Sequence, residues 1–274
     1  MVDPAGFPQF VQLSRARLTA STKSVRLVSH SHVVQEVNSH RLYKYISDRA
    51  PLFYREADKI IETIRNGYFG TAYQETLARI PSSESFQESH FAEIAAGIFA
   101  EEVMKLALLY SKLTLLTAEN ANAYKMDLLL CNVHADPVEF VFGEVKSSTK
   151  SAADGMPPGH DASCFVDLFN SFNKYDNTDA SFDLTAAKDR LSMMDGANRD
   201  RIIAALMPYA PRQIRYAGFV VIDVSTKDES EIQLLETRKN KKYLDVELLC
   251  IETLRQVAHD TYAHLTSMRD ACSG

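Results

Sequence analysis

The stretch VEFVFGEVK, Val138 to Lys146, constrains this chain more than any other. Its β-branched and aromatic residues predict a strand, entered through the turn-forming His134-Ala135-Asp136-Pro137. Glu144 and Lys146 close that strand, and Glu144-Val145-Lys146 is the only acid-x-Lys triplet in the chain. Alternate residues of a strand share a face, so Glu144 and Lys146 project together, on the side of Phe140 and Phe142. A carboxylate and an ammonium at the rim of a buried surface are costly unless they pair or hold a cation. The chain must therefore build something around that strand end.

The neighbouring segments indicate what. YKMDLLLCNV, Tyr124 to Val133, predicts a preceding strand in which Asp127 interrupts an apolar run. A hairpin through Asp136-Pro137 would bring Asp127 close to Glu144. Leu113 to Thr117 (LTLLT) reads as an earlier strand, separated by the turn-forming Glu119 to Asn122. The three strands imply an antiparallel meander. Before them, a helix is predicted from Ser89, as N-cap, to about Tyr110, with Phe91, Ile94 and Ile98 at helical spacing. Glu93 lies on this helix just before its alanine-rich stretch, with Glu101 and Glu102 further along.

Beyond Lys146, Ser147 to His160 is a loop by composition. Helices are predicted over about 162–175, 184–194 and 198–206. RYAGFVVIDV, Arg215 to Val224, is a strongly apolar strand, far enough on to return by a helical crossover and lie parallel to the Glu144 strand. A late strand, Tyr243 to Ile251, precedes a closing helix from about Glu252 to Arg269. At the other end, Val25 to Val37 predicts one or two strands, Leu52 to Ile64 a helix, and Tyr73 to Ile80 a shorter one. The polar run Ser82 to Ser89 is the best boundary. It divides an α+β N-terminal extension, 1–85, open to a partner-docking role, from a domain over 86–274.

Composition narrows the chemistry. With 274 residues and 46% hydrophobic content the chain can bury a core of ample size. The four cysteines stand alone, with no CxxC pair, so neither a zinc knuckle nor a disulfide framework is expected, and a reducing cytoplasm is the simplest home. No apolar run approaches the ~20 residues of a membrane span. No Walker-type phosphate loop is present, so ATP hydrolysis is not expected. The net charge of -6 is unlike that of a protein that grips nucleic acid unaided, since phosphate neutralisation supplies most of such affinity.

Two carboxylates with a strand carbonyl and waters make an oxygen-rich shell suited to Mg²⁺ or Mn²⁺. Such a cation polarises a phosphate and acidifies a bound water. Lys146 is then placed to orient the water and to offset charge on the phosphate. Asp127 and Glu144 are the expected ligands, and Glu93 is the expected carboxylate from the preceding helix, with Glu101 and Glu102 as alternatives.

Residues from about His90 to Val224 resemble the PD-(D/E)xK nuclease core: a helix with Glu, a strand, a strand with Asp, a strand with E-x-K, then a helical crossover. Within it, HFAEIAAGIFAEEV, NAYKMDLLLC and FGEVKSS resemble the nuclease subunit of the Hachiman anti-phage defence system. The resemblance implies a restriction-endonuclease-like α/β fold with a mixed sheet flanked by helices. It also implies a metal-dependent DNase partnered by a superfamily 2 helicase. By motif, Asp127 and Glu144 match the acidic ligands, Lys146 the catalytic lysine and Glu93 the helix glutamate. No proline precedes Asp127, a departure from the name-giving motif. A helicase that feeds the DNA would account for the acidic balance.

Other readings stand beside these. Glu144 and Lys146 suit an exposed-edge salt bridge, Asp127 a turn, and Glu93 a solvated helix face. The same fold, catalytically silent, would be a module that docks on a partner helicase and regulates it. His90 and His160 flank the site segments without a ligand pattern. Lys150 in the loop and the basic run Arg238 to Lys242 are candidate phosphate or partner contacts, or solvated turns.

Overall fold

The computed structural model describes residues 6–21, 26–37, 41–55, 57–67, 69–115, 126–155, 161–172, 187, 191, 196–207, 209–226 and 244–271. These form a mixed α/β structure around one seven-stranded sheet of order β1-β2-β7-β6-β5-β4-β3. The strands are β1 (Val11–Ser21), β2 (Arg26–Val34), β3 (Ala107–Ser111), β4 (Leu128–Asn132), β5 (Glu139–Ser148), β6 (Gln213–Asp223) and β7 (Leu244–Ile251). The helices are α1 (Leu42–Arg49), α2 (Pro51–Tyr54), α3 (Ala57–Arg65), α4 (Phe69–Leu77), α5 (Glu84–Glu102), α6 (Asp161–Phe172), α7 (Gly196–Leu206) and α8 (Leu254–Ala271).

The predicted meander is present: β3 pairs antiparallel with β4, and β4 with β5. The predicted crossover is present too, since β5 runs parallel to β6, with Glu144 beside Gly218 and Lys146 beside Val220. Leu128 lies opposite Gly143, so the next rung sets Asp127 against Glu144. β7 continues the parallel run beside β6 and is itself flanked in parallel by β2.

Strand alternation sorts the core into two faces. Val141 and Val145 of β5, with Leu128 and Leu130 of β4, pack beneath α5, where Phe91, Ile94, Ile98 and Phe99 are buried. Phe140 and Phe142 join Leu129 and Cys131 in a separate cluster that includes Ala187, Leu191 and Ile202. Under α6, Phe165, Leu168 and Phe169 bury Val220, Ile222, Val246 and Leu248. Gly218 permits that approach: a Cβ there would lie 2.4 Å from Leu168. β1 and β2 share the sheet with the rest, and α1, α2 and α4 share the largest core, Phe7, Phe10, Tyr45 and Phe53 packing with the α5 residues.

Several predicted elements are corrected. Helix α5 begins at Glu84 with Ser83 as N-cap, so Ser89 is an interior residue and the polar run 82–89 is largely helix. It ends at Glu102, not near Tyr110. Leu106 N–H bonds Ala100 O at 3.0 Å and Lys105 takes a left-handed φ of 60°, which turns the chain into β3. The first meander strand is therefore Ala107–Ser111, and Lys112–Leu115 is a 3-10 turn. Side chains make that turn: Leu113 N–H donates to Ser111 Oγ at 3.3 Å, and Thr114 Oγ1 to Ser111 O at 2.7 Å. Such local bonds compete with a strand ladder.

β5 extends to Ser148, taking two residues from the expected loop. The expected helix 52–64 is two helices, because Arg55 is extended, its guanidinium held 2.6 Å from Glu75. β1 was not foreseen. The expected turn Glu119–Asn122, most of the helix 184–194, His160 and the basic run 238–242 lie outside the described residues. No described helix is long and apolar enough to cross a membrane.

Candidate active site

β5 delivers Lys146 to the wall of a polar cleft of about 260 Å³. The same cleft is lined by Glu93 of α5, by Asp127 at the entry to β4, by Lys112, and by Ser147 and Thr149 beyond the triplet. Ser85, Glu88 and Ser89, from the first turns of α5, form its opposite rim. Three of the four expected site residues thus meet in one depression. The fourth, Glu144, is buried at 1% exposure, near enough for its charge to push the Glu93 carboxyl upward.

Each side chain has a local reason for its place. Asp127 is held from both sides: its Oδ2 accepts the Val145 N–H at 2.7 Å, and its carbonyl accepts the Lys112 N–H at 2.9 Å. The first bond ties it to the residue between Glu144 and Lys146. Glu93 is buried because α5 packs its whole middle, His90 to Ala100, onto the sheet and neighbouring helices. The expected alternatives on the same helix serve structure. Glu101 Oε1 accepts the Leu108 N–H at 3.2 Å. Glu102 accepts from Phe7 N–H and Tyr45 Oη, each at 2.5 Å, and from Arg49 Nε at 2.8 Å.

Lys112 was absent from the sequence-based set. Its Nζ lies 2.5 Å from Asp127 Oδ1 and 3.0 Å from Glu93 Oε1, a bridge between the two carboxylates. Burial alone would lower its pKa, but Glu93 and Asp127 outweigh that and hold it above the ordinary lysine value.

Glu93 experiences the converse. Burial first, then the charges of Asp127 and Glu144, raise it to about 8 against the pull of Lys112. The Lys112 ammonium, shared between Glu93 and Asp127, is too little positive charge to hold the Glu93 carboxyl at its ordinary value.

His90, expected only to flank the site, is buried and shares a hydrogen bond of 3.1 Å between Nδ1 and the Tyr54 hydroxyl. That hydroxyl in turn meets Tyr262 Oη at 2.9 Å. This network braces α5 against α2 and α8 and stays out of the cleft.

The chemistry of the donors fits a hard divalent cation. All are carboxylate oxygens, and Glu93 Oε2 is buried with no hydrogen-bond partner among the described residues, the orphan that a cation would satisfy. Among the described residues no three His, Cys, Asp or Glu side chains already stand as a metal cage, and the Lys112 ammonium occupies the space between two of the carboxylates. Thr149, Ser147 and Lys146 add hydroxyls and a cation suited to an anionic substrate.

Comparison with known families adds one finding. A family model described as HamA matches residues 7–265, which takes in β1 to β7 and every site residue above. No curated protein sequence matches the chain.

Proposed function

The chain belongs to the HamA family of the Hachiman anti-phage defence system, and from that premise we propose that it is a metal-dependent DNase of the PD-(D/E)xK type. It acts as the effector subunit beside a superfamily 2 helicase. The observation that carries this reading is the convergence of Glu93, Asp127 and Lys146 on one polar cleft, with Glu144 buried beside them. The chain order supports it as well: α5, β3, β4, β5 and the parallel β6 follow the order of elements expected of that nuclease core.

In this reading Asp127, Glu144 and Glu93 hold Mg²⁺ or Mn²⁺. When bound, the cation polarises the scissile phosphate and lowers the pKa of water. The residues of the chain do the rest. Val145 N–H fixes Asp127 in register with the E-x-K strand. Lys146, half-exposed on the cleft wall, orients the attacking water and offsets the charge that grows on the phosphate oxygens. Water oxygen bonds to phosphorus, the P–O bond to the leaving oxygen breaks, and the proton that the water gives up is made good at the leaving oxygen by exchange with solvent.

The net charge of -6 agrees with a subunit that receives DNA from a partner rather than capturing it alone. The test is plasmid cleavage by the wild type and Lys146→Ala, in Mg²⁺ or EDTA, each alone and with the helicase partner. Cleavage that needs metal and falls by about 10²-fold or more in the variant supports the DNase. Should both proteins bind the helicase and neither cut, the silent regulatory module replaces it.

A further inference from the structure

The cleft carries a cation of its own, and its position matters. Lys112 follows β3 and touches one oxygen of Glu93, at 3.0 Å, and one of Asp127, at 2.5 Å. These are two of the three carboxylates that would share a metal. The second oxygen of Glu93 is buried with no hydrogen-bond partner among the described residues, so the ammonium closes the pair without satisfying it. An ammonium at contact distance and a divalent cation cannot both stand between the same two carboxylates, since they repel at short range in a poorly screened site.

We propose that Lys112 is a displaceable plug: its ammonium holds Glu93 and Asp127 closed against a divalent cation, and loading the site requires it to withdraw. The inference rests on the metal-dependent reading of the cleft. Withdrawal is feasible because the ammonium sits on a flexible four-carbon stem, its side chain is 19% exposed, and it lines the open cleft. The turn that carries it is tied to the helical layer rather than to the sheet alone. Arg79 Nη1 donates to Thr114 O at 3.2 Å and to Tyr54 O at 2.9 Å. Motion of α2 or of the Arg79 segment would therefore be passed to the turn that carries the plug.

The experiment is calorimetric titration with Mn²⁺ of the full chain and of Lys112→Arg, Lys112→Met and Lys112→Gln, with the Mn²⁺-dependent rise in Tm of each. Lys112→Gln keeps N–H donors within reach of the carboxylates and guards against loss of the fold in the apolar variant. Wild type and Lys112→Arg, which both keep a cation in the pair, should bind weakly. Lys112→Met and Lys112→Gln should bind about tenfold or more tightly and gain the larger Tm rise.

Equal Kd values in all four proteins would overturn the plug and leave the metal site standing. Weaker binding in the Met and Gln variants would also overturn it, making Lys112 a builder of the site. No saturable Mn²⁺ binding in any of the four would remove the plug and the metal-dependent reading together.

Discussion

The N–H of Val145 donates to Asp127 Oδ2 at 2.7 Å, so the residue between Glu144 and Lys146 fixes the aspartate of the neighbouring strand. The triplet is thus more than two functional side chains with a spacer. Its middle residue uses its backbone to hold the third acidic group in place, and the β4–β5 register makes that possible.

That bond separates two roles of Asp127. Asp127→Asn keeps an oxygen for the Val145 N–H and loses the charge, whereas Asp127→Ala loses both. Alanine leaves a buried donor unsatisfied and Lys112 with one carboxylate fewer, so it should destabilise the fold by about 3 kcal/mol, roughly twice the cost of asparagine. Urea denaturation measures the gap. If the chain is a metal-dependent nuclease, both variants should lose cleavage to a similar extent, because both lose the ligand charge.

His90 makes stability depend on pH. Burial, with help from the Lys112 ammonium, lowers it from 6.5 to about 4. The unfolded chain takes up a proton near pH 6.5 and the folded chain only near pH 4, so this contribution is intact above 6.5 and is lost as pH falls from 6.5 to 4. Between pH 7 and pH 5 the loss should be about 2 kcal/mol. His90→Gln cannot show it, so the stability difference between wild type and variant should shrink by that amount over the interval. A constant difference in parallel denaturation curves would refute the assignment.

Gly97 sets the distance between α5 and α2. A Cβ there would stand 2.3 Å from Phe53 Cε1 and 2.7 Å from Cζ, and Phe53 is itself buried. Alanine is the better helix former by about 1 kcal/mol. Even so, Gly97→Ala should destabilise the protein by about 1–3 kcal/mol, because overpacking a closed contact costs more than propensity returns. A rise in the urea midpoint would show that Phe53 has room to move.

Glu102 anchors the start of the described chain. It accepts hydrogen bonds from Phe7 N–H, Tyr45 Oη and Arg49 Nε, and the Arg49 guanidinium lies 3.7 Å over the Tyr45 ring. Glu102→Ala should cost about 2–4 kcal/mol and expose the Phe7–Phe10 turn to limited proteolysis. In the DNase assay it should retain per-molecule activity at temperatures where it stays folded, since it lies away from the cleft. A variant that is fully folded and inactive would show that Glu102 does more than brace the fold.

The sequence by itself determined the parts whose rules are local. Period-two alternation put Glu144 and Lys146 on one side of a strand. The short turn at Asp136-Pro137 brought Asp127 opposite Glu144, and the long connection before Arg215 forced a parallel return. Helical spacing around Phe91 and Ile98 marked the helix that carries Glu93.

Tertiary structure decided what no local rule carries. The end of α5 at Glu102 rests on a left-handed Lys105, a position with no glycine to mark it. The turn at Lys112–Leu115 adds to its local Ser111 and Thr114 bonds a distant one, Arg79 Nη1 donating to Thr114 O at 3.2 Å, against the strand propensity of its own sequence. β1 and β2 complete the sheet only because β7, more than 200 residues later, offers β2 a parallel edge. Lys112 reads in sequence as a lone cation in an apolar stretch. It becomes the partner of Glu93 and Asp127 because α5 and β4 place their carboxylates around it, and charge in a poorly screened cleft is compensated by proximity in space, not in sequence.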